Sequence, residues 1–145
     1  MRLSNHFTLK EFTRSAIATQ NNLPNNPSSE QIQNLRLVAH SMEVIRAMAG
    51  NIPIIPDSVY RSPEVNQYVG GSSTSRHMAG LAIDFTIAGY TVKQVIDLIQ
   101  MSNVPFHKCI NEHDCWVHWS FPRLGEKAIC QQWLKDSEGY HLIQV

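Results

Sequence analysis

The sequence predicts an α+β domain in which helices pack on a small antiparallel sheet. Three observations carry that expectation. Two amphipathic helical patterns stand behind capping boxes, two short aromatic-rich segments read as a hairpin, and a further apolar strand follows a glycine. No repeat, low-complexity tract or long linker divides the 145 residues, so residues 1–145 read as one domain with a sizeable core.

Thr8 to Ser15 predicts a short helix, because Thr8 is followed by Glu11 at capping-box spacing. Asn21 to Ser28, rich in Asn, Pro and Ser, predicts a loop. Ser28 and Gln31 repeat the box, and Ile32, Leu35, Val38, Ala39, Met42, Ile45 and Ala49 follow at helical spacing until Gly50. This is the main amphipathic helix; its stripe is core, and His40 beside it reads as structural. Ile52 to Val59 is extended, but Pro53 and Pro56 demote it to an edge strand or an irregular segment. Pro63 to Tyr68 reads as a turn or short helix, and Gly70-Gly71 as a flexible corner. Leu81 to Phe85 is a short apolar strand. Thr91 and Gln94 open a third helix with Val92, Val95, Ile96 and Ile99 inward, ended by Asn103 and Pro105. Phe106–Glu112 and Cys115–Phe121 form the hairpin. With His113-Asp114-Cys115 as its loop, Glu112 faces Trp116, Ile110 faces His118, and Glu112 becomes a diagonal neighbour of His118, about 7 Å away. Gly139 to Val145 reads as a last edge strand, with Trp133 and Tyr140 as packing residues.

Two clusters carry chemistry: Ser75-Arg76-His77-Met78-Ala79-Gly80-Leu81-Ala82-Ile83-Asp84 and Trp116-Val117-His118-Trp119. Their two imidazoles and one carboxylate match the ligand set of an open zinc site, which keeps three protein ligands and leaves a fourth position for a water whose pKa falls to about 7. His77 and Asp84 are seven residues apart, roughly 23 Å if extended. A shared metal therefore requires a bend, and Gly80 is the natural place for it. A carboxylate within an apolar strand is costly unless paired or metal-bound. Spacing alone leaves other readings open: His118 as a packed core histidine, and Asp84 as the partner of an arginine.

The pattern S-x-H-x-x-G-x-A-x-D followed by W-x-H resembles the zinc D-Ala-D-Ala carboxypeptidase family of cell-wall peptidases, which includes D,D-carboxypeptidases and L-alanyl-D-glutamate endopeptidases. His6-Phe7-Thr8-Leu9-Lys10-Glu11-Phe12, Val59-Tyr60-Arg61-Ser62-Pro63, Asn66 and Val69-Gly70-Gly71-Ser72 resemble its small, phage-associated, endolysin-like branch. The resemblance implies His77, Asp84 and His118 as ligands of one zinc per chain. It implies Arg61 as a clamp for a substrate carboxylate and Ser75 as a residue close to substrate; Tyr60 either joins them or packs in the core. The implied substrate is a peptidoglycan stem peptide, and either reaction type is compatible. The wider family places an acid or histidine two or three positions before the last zinc histidine. Here those positions hold Trp116 and Cys115, a departure that leaves the general base open. Glu112 is the first candidate from the hairpin register, and Asp114 the alternative.

Twelve basic and twelve acidic residues cancel, so nothing marks the chain for nucleic acid or a membrane surface. No apolar run is long enough to span a bilayer. Met1 to Phe12 lacks the apolar region of a signal peptide. On this reading the chain is made in the cytoplasm and reaches the wall after phage-induced lysis or as a virion component. Oligomeric state is left open. Cys109, Cys115 and Cys130 are odd in number and are expected to stay reduced. A competing metal site of Cys109 or Cys115 with His107 or His113 has unusual spacing. The alternative to an enzyme is a non-catalytic, zinc-bearing wall-binding or phage structural module of the same fold.

Overall fold

The computed structural model describes residues 1–144. Five helices stand in chain order with six strands: α1 Leu9–Phe12, α2 Ala16–Gln20, α3 Ser29–Met48, β1 Ile54–Ser58, α4 Pro63–Tyr68, β2 Ala82–Ile87, α5 Val92–Ser102, β3 Lys108–Glu112, β4 Trp116–Ser120, β5 Gln131–Asp136 and β6 Gly139–Gln144. A short 3₁₀ turn, Arg76–Ala79, precedes β2. The α+β class holds. The sheet is larger than expected, with strand order β1-β2-β4-β3-β5-β6, and β3 pairs with β5 in parallel while the other neighbours are antiparallel.

The expected caps are present. Thr8 and Glu11, Ser28 and Gln31, and Thr91 and Gln94 each exchange both bonds of a capping box. The first helix is shorter than Thr8–Ser15, because Thr13 ends it and Ser15 caps a new one, α2. α3 buries Leu35, Val38, Ala39, Met42 and Ile45, and His40 lies exposed on its solvent side. α3 and α5 cover one face of the sheet. There the odd-numbered side chains Ile83, Phe85, Cys109, Val117 and Trp119 join them in the core. Strand alternation sends Asp84, Ile110, Glu112, Trp116 and His118 to the opposite face, which is uncovered by those helices. β1 is an edge strand, as its prolines require, with a bulge between Pro56 and Ser58.

Two expectations about the C-terminal segment change. β5 was not anticipated: Gln131-Gln132-Trp133-Leu134-Lys135-Asp136 is poor in β-branched residues and takes its strand form by pairing with β3. Trp133 and Tyr140, expected to pack, instead point to the uncovered face, and Tyr140 is exposed. The expected edge strand is β6; Val145 lies outside the described residues.

Candidate metal centre

Gly80 makes the bend between the first two candidate ligands. Its φ is +73°, and a Cβ there would sit 2.7 Å from the Gln31 carbonyl oxygen of α3. Only glycine satisfies both conditions. Asn34 of α3 donates to the Ala79 carbonyl at 2.8 Å, fixing the 3₁₀ turn against the helix. The turn delivers His77, β2 delivers Asp84, and β4 delivers His118 directly opposite Asp84 in register.

The three side chains converge, their donor atoms within 4.8 Å of one another. Asp84 Oδ1 accepts from His118 Nδ1 at 2.8 Å, and Asp84 Oδ2 lies 3.3 Å from His77 Nε2. The two imidazoles stand edge to face with centroids 5.2 Å apart. His77 Nδ1–H donates to the Val59 carbonyl at 2.7 Å, which leaves Nε2 as its free lone pair. Such an outer bond sets the tautomer and aim of a metal-ligating histidine. Burial of His77 lowers its pKa despite the attraction of Asp84, keeping the imidazole neutral as a ligand must be. Burial pushes the Asp84 carboxyl up, but the hydrogen bonds from its two imidazole neighbours, and their charge whenever either is protonated, outweigh it and hold the carboxyl below the usual carboxylate range. Neutral imidazole, anionic carboxylate and a fixed tautomer fit a zinc ion. This is the only such cluster among the described residues. The cysteines do not build a second: Cys109 is buried in the core with its thiol pushed up to about 12 by desolvation, and Cys115 is exposed.

These side chains lie in a cleft of about 920 Å³. Arg61 and Ser75 line it on the side of the 3₁₀ turn, with Arg61 Nη2 donating to Ser75 Oγ at 3.3 Å. Arg61 Nε is buried without a partner. The guanidinium lines the cleft with Ser75 as its side-chain partner, and a planar fork so placed can meet a carboxylate. Tyr60 is 3% exposed and belongs to the core.

The hairpin register is the one the alternation predicts: Glu112 opposite Trp116, Ile110 opposite His118. Glu112 therefore lines the cleft and is only 8% exposed. Burial raises its pKa, against the attraction of His118 and Lys135, whose Nζ is 4.0 Å away. Asp114 is placed differently. It sits exposed at the hairpin tip with φ +56°, where its Oδ1 accepts from Asn111 Nδ2 at 2.7 Å and its backbone N–H donates to Asn111 Oδ1. Unlike Glu112, it does not line the cleft.

Sequence reading did not anticipate His107, Lys108, Trp133, Lys135 and Tyr140 as cleft residues. His107 contacts Arg76 at 3.2 Å, and its pKa falls to about 4 through burial and the charges of Arg76 and Lys108. Lys108 could have been found, since it shares the even-numbered face of Ile110 and Glu112; His107 is placed by Arg76 and Ser120, and Trp133, Lys135 and Tyr140 depend on β5 and β6.

Peptidase M15 matches residues 5–120 of the chain. The chain belongs to the peptidase M15 family. That is the zinc D-Ala-D-Ala carboxypeptidase family of the sequence motif, and its members are zinc enzymes. No curated protein matches the chain. The match contains all three candidate ligands, Arg61, Ser75 and Glu112, and ends at Ser120, the last residue of β4.

Proposed function

We propose that this chain is a zinc metallopeptidase that hydrolyses an amide bond of peptidoglycan stem peptides. The observation that carries the reading is the convergence of His77, Asp84 and His118 in a cleft that also holds a buried acid and a buried, partly unpartnered arginine. Zinc held by the three side chains would supply Lewis acidity and lower the pKa of a water to about 7.

The chain's own residues supply the rest. Glu112 takes the proton of the attacking water and returns it to the leaving amine nitrogen. A carboxylate whose pKa burial has raised is suited to both roles. Arg61 clamps a substrate carboxylate through its planar fork, with Ser75 holding one nitrogen of that fork. Val59 fixes the His77 imidazole before substrate arrives. The non-catalytic module needs none of these: a buried acid beside the ligands is an expense that binding alone does not explain.

Action on the cell wall follows from the proposed substrate. A phage-lysis or virion setting belongs to the same proposal and rests on the resemblance of His6–Phe12, Val59–Pro63, Asn66 and Val69–Ser72 to the phage-associated branch. The test is incubation of zinc-loaded protein with muropeptides, reading new amino groups by mass spectrometry. Cleavage that chelators stop and zinc restores is expected. Zinc-saturated protein that turns over no stem peptide would transfer the reading to the binding module.

A further inference from the structure

The family match ends at Ser120, yet the chain continues into a hairpin, β5–β6, that extends the sheet. This hairpin adds little to the core. Every residue of β5 is only partly buried, and Tyr140, Leu142 and Ile143 of β6 are exposed. Its inward residues face the cleft instead.

Register places them relative to the metal centre. Asp84 pairs with His118, His118 with Ile110, and Ile110 with Trp133, so the ligands and Trp133 lie in one row across the sheet. Trp133 is two strand spacings beyond His118, about 10 Å. Arg61 lies at the other end of the cleft, after β1 and beside the 3₁₀ turn. Lys108 Nζ sits 5.0 Å from the Trp133 ring centroid, and Lys135 Nζ 4.8 Å from that of Tyr140. Each ring thus holds an ammonium in place over one face. Lys135 shares its charge with Glu112, whereas Lys108 has no carboxylate partner among the described residues. The cleft is lined by Arg61, Arg76, Lys108, Arg123 and Lys135 against Asp84 and Glu112; Arg76 is paired with Glu126, which leaves four cations against two carboxylates. That excess favours an anion. A sugar is the weaker occupant, because an ammonium covers a stacking face of each ring.

We propose that Lys108, positioned by Trp133 and assisted by Lys135, forms a second anion subsite that takes a stem-peptide carboxylate across the metal centre from Arg61. The inference rests on the peptidase reading and narrows it. The Lys108 ammonium is held over Trp133, and the roughly 10 Å from that residue's row position to His118 corresponds to three extended residues at roughly 3.3–3.6 Å each. The cut bond then lies between two carboxylates, one next to it at Arg61 and one three residues away at Lys108. A terminal D-Ala-D-Ala bond has this arrangement, with the chain-end carboxylate on one side and the D-glutamate α-carboxylate three residues before the cut. An L-alanyl-D-glutamate bond has no carboxylate on its alanine side.

The test uses zinc-loaded protein and two pentapeptides, L-Ala-γ-D-Glu-L-Lys-D-Ala-D-Ala and its counterpart with the D-glutamate α-carboxyl amidated. Wild type is expected to release D-alanine from both, with KM about tenfold higher for the amide, the scale of one charged hydrogen bond. Lys108→Gln should raise KM for the acid by the same factor, leave KM for the amide unaltered, and be rescued by Lys108→Arg. Lys135 is not the test position, because it also touches Glu112. Equal KM values for the two peptides in wild type, equal losses on both in Lys108→Gln, or cleavage confined to the L-Ala-D-Glu bond would each overturn the proposal. Calorimetric binding of the tripeptide L-Ala-γ-D-Glu-L-Lys and its amide separates the two levels. A preference for the acid that Lys108→Gln abolishes supports the subsite even where no peptide is turned over, and that lack of turnover refutes the peptidase reading alone. No preference refutes the subsite itself.

Discussion

Replacing Gly80 by alanine tests whether the metal loop is set by its contact with α3. Two costs follow from the structure. An alanine at φ +73° occupies the left-handed region, at roughly 1–2 kcal/mol. Its Cβ would also lie 2.7 Å from the Gln31 carbonyl oxygen and 3.2 Å from Leu35 Cγ. The first of these is helix backbone and cannot swing aside, so overpacking adds roughly 1–3 kcal/mol. Gly125 is the internal control: its φ is +79°, but a Cβ there meets nothing within 4 Å, so Gly125→Ala carries the backbone cost alone. At about 3 °C per kcal/mol for a chain of this size, Gly80→Ala should lower Tm by roughly 6–15 °C and Gly125→Ala by about 3–6 °C. Melts are recorded with chelator present, so that metal affinity does not mix with folding. Zinc titration then asks whether the shifted turn still presents His77 to Asp84; weaker binding in Gly80→Ala alone is expected. Equal Tm losses for the two variants would refute the reasoning, since the approach to α3 would then contribute nothing.

Three further outcomes are expected. His77→Ala and His118→Ala should each abolish bound zinc, normally one per chain, as measured by atomic absorption; full occupancy in either would remove that residue from the ligand set. Arg61→Ala should keep its zinc and raise KM for carboxylate-bearing peptides by about tenfold or more, and a loss confined to kcat would recast Arg61 as a group acting on the transition state. Glu112→Gln should retain zinc and lower kcat by roughly 10²–10⁴-fold. Because the base works as the carboxylate, wild-type kcat/KM should fall as pH drops and Glu112 takes up a proton, and the residual activity of Glu112→Gln should lack that limb.

Local signals in the sequence were enough for most of the matched region. The capping boxes at Thr8, Ser28 and Thr91 mark helix starts that the structure reproduces, because a cap is a bond between residues three apart and needs no tertiary context. The end of the first helix was missed for the same local reason: Ser15 begins a second cap, and two short helices replace one. β5 was illegible. Its parallel partner β3 lies some twenty residues earlier, and neither alternation nor β-propensity marks Gln131–Asp136.

The candidate site divides along the same line. His77, Asp84 and His118 stand in a spaced motif, and Glu112 follows from counting back across a three-residue loop, because a hairpin's register is local. The outer half of the cleft depends on β5 and its pairing with β6, so Trp133 and Tyr140 read as packing residues from sequence alone. Composition hid the charge as well. Twelve basic and twelve acidic residues sum to zero, yet four cationic side chains besides the Glu126-paired Arg76 line the cleft against two carboxylates. Net charge governs long-range attraction to a polyanion, whereas recognition of a short acidic peptide depends on charges within about a Debye length, some 8 Å at physiological salt. A neutral chain therefore lacks long-range attraction to a polyanion, while its cationic cleft still offers short-range partners to the acidic peptide proposed as substrate.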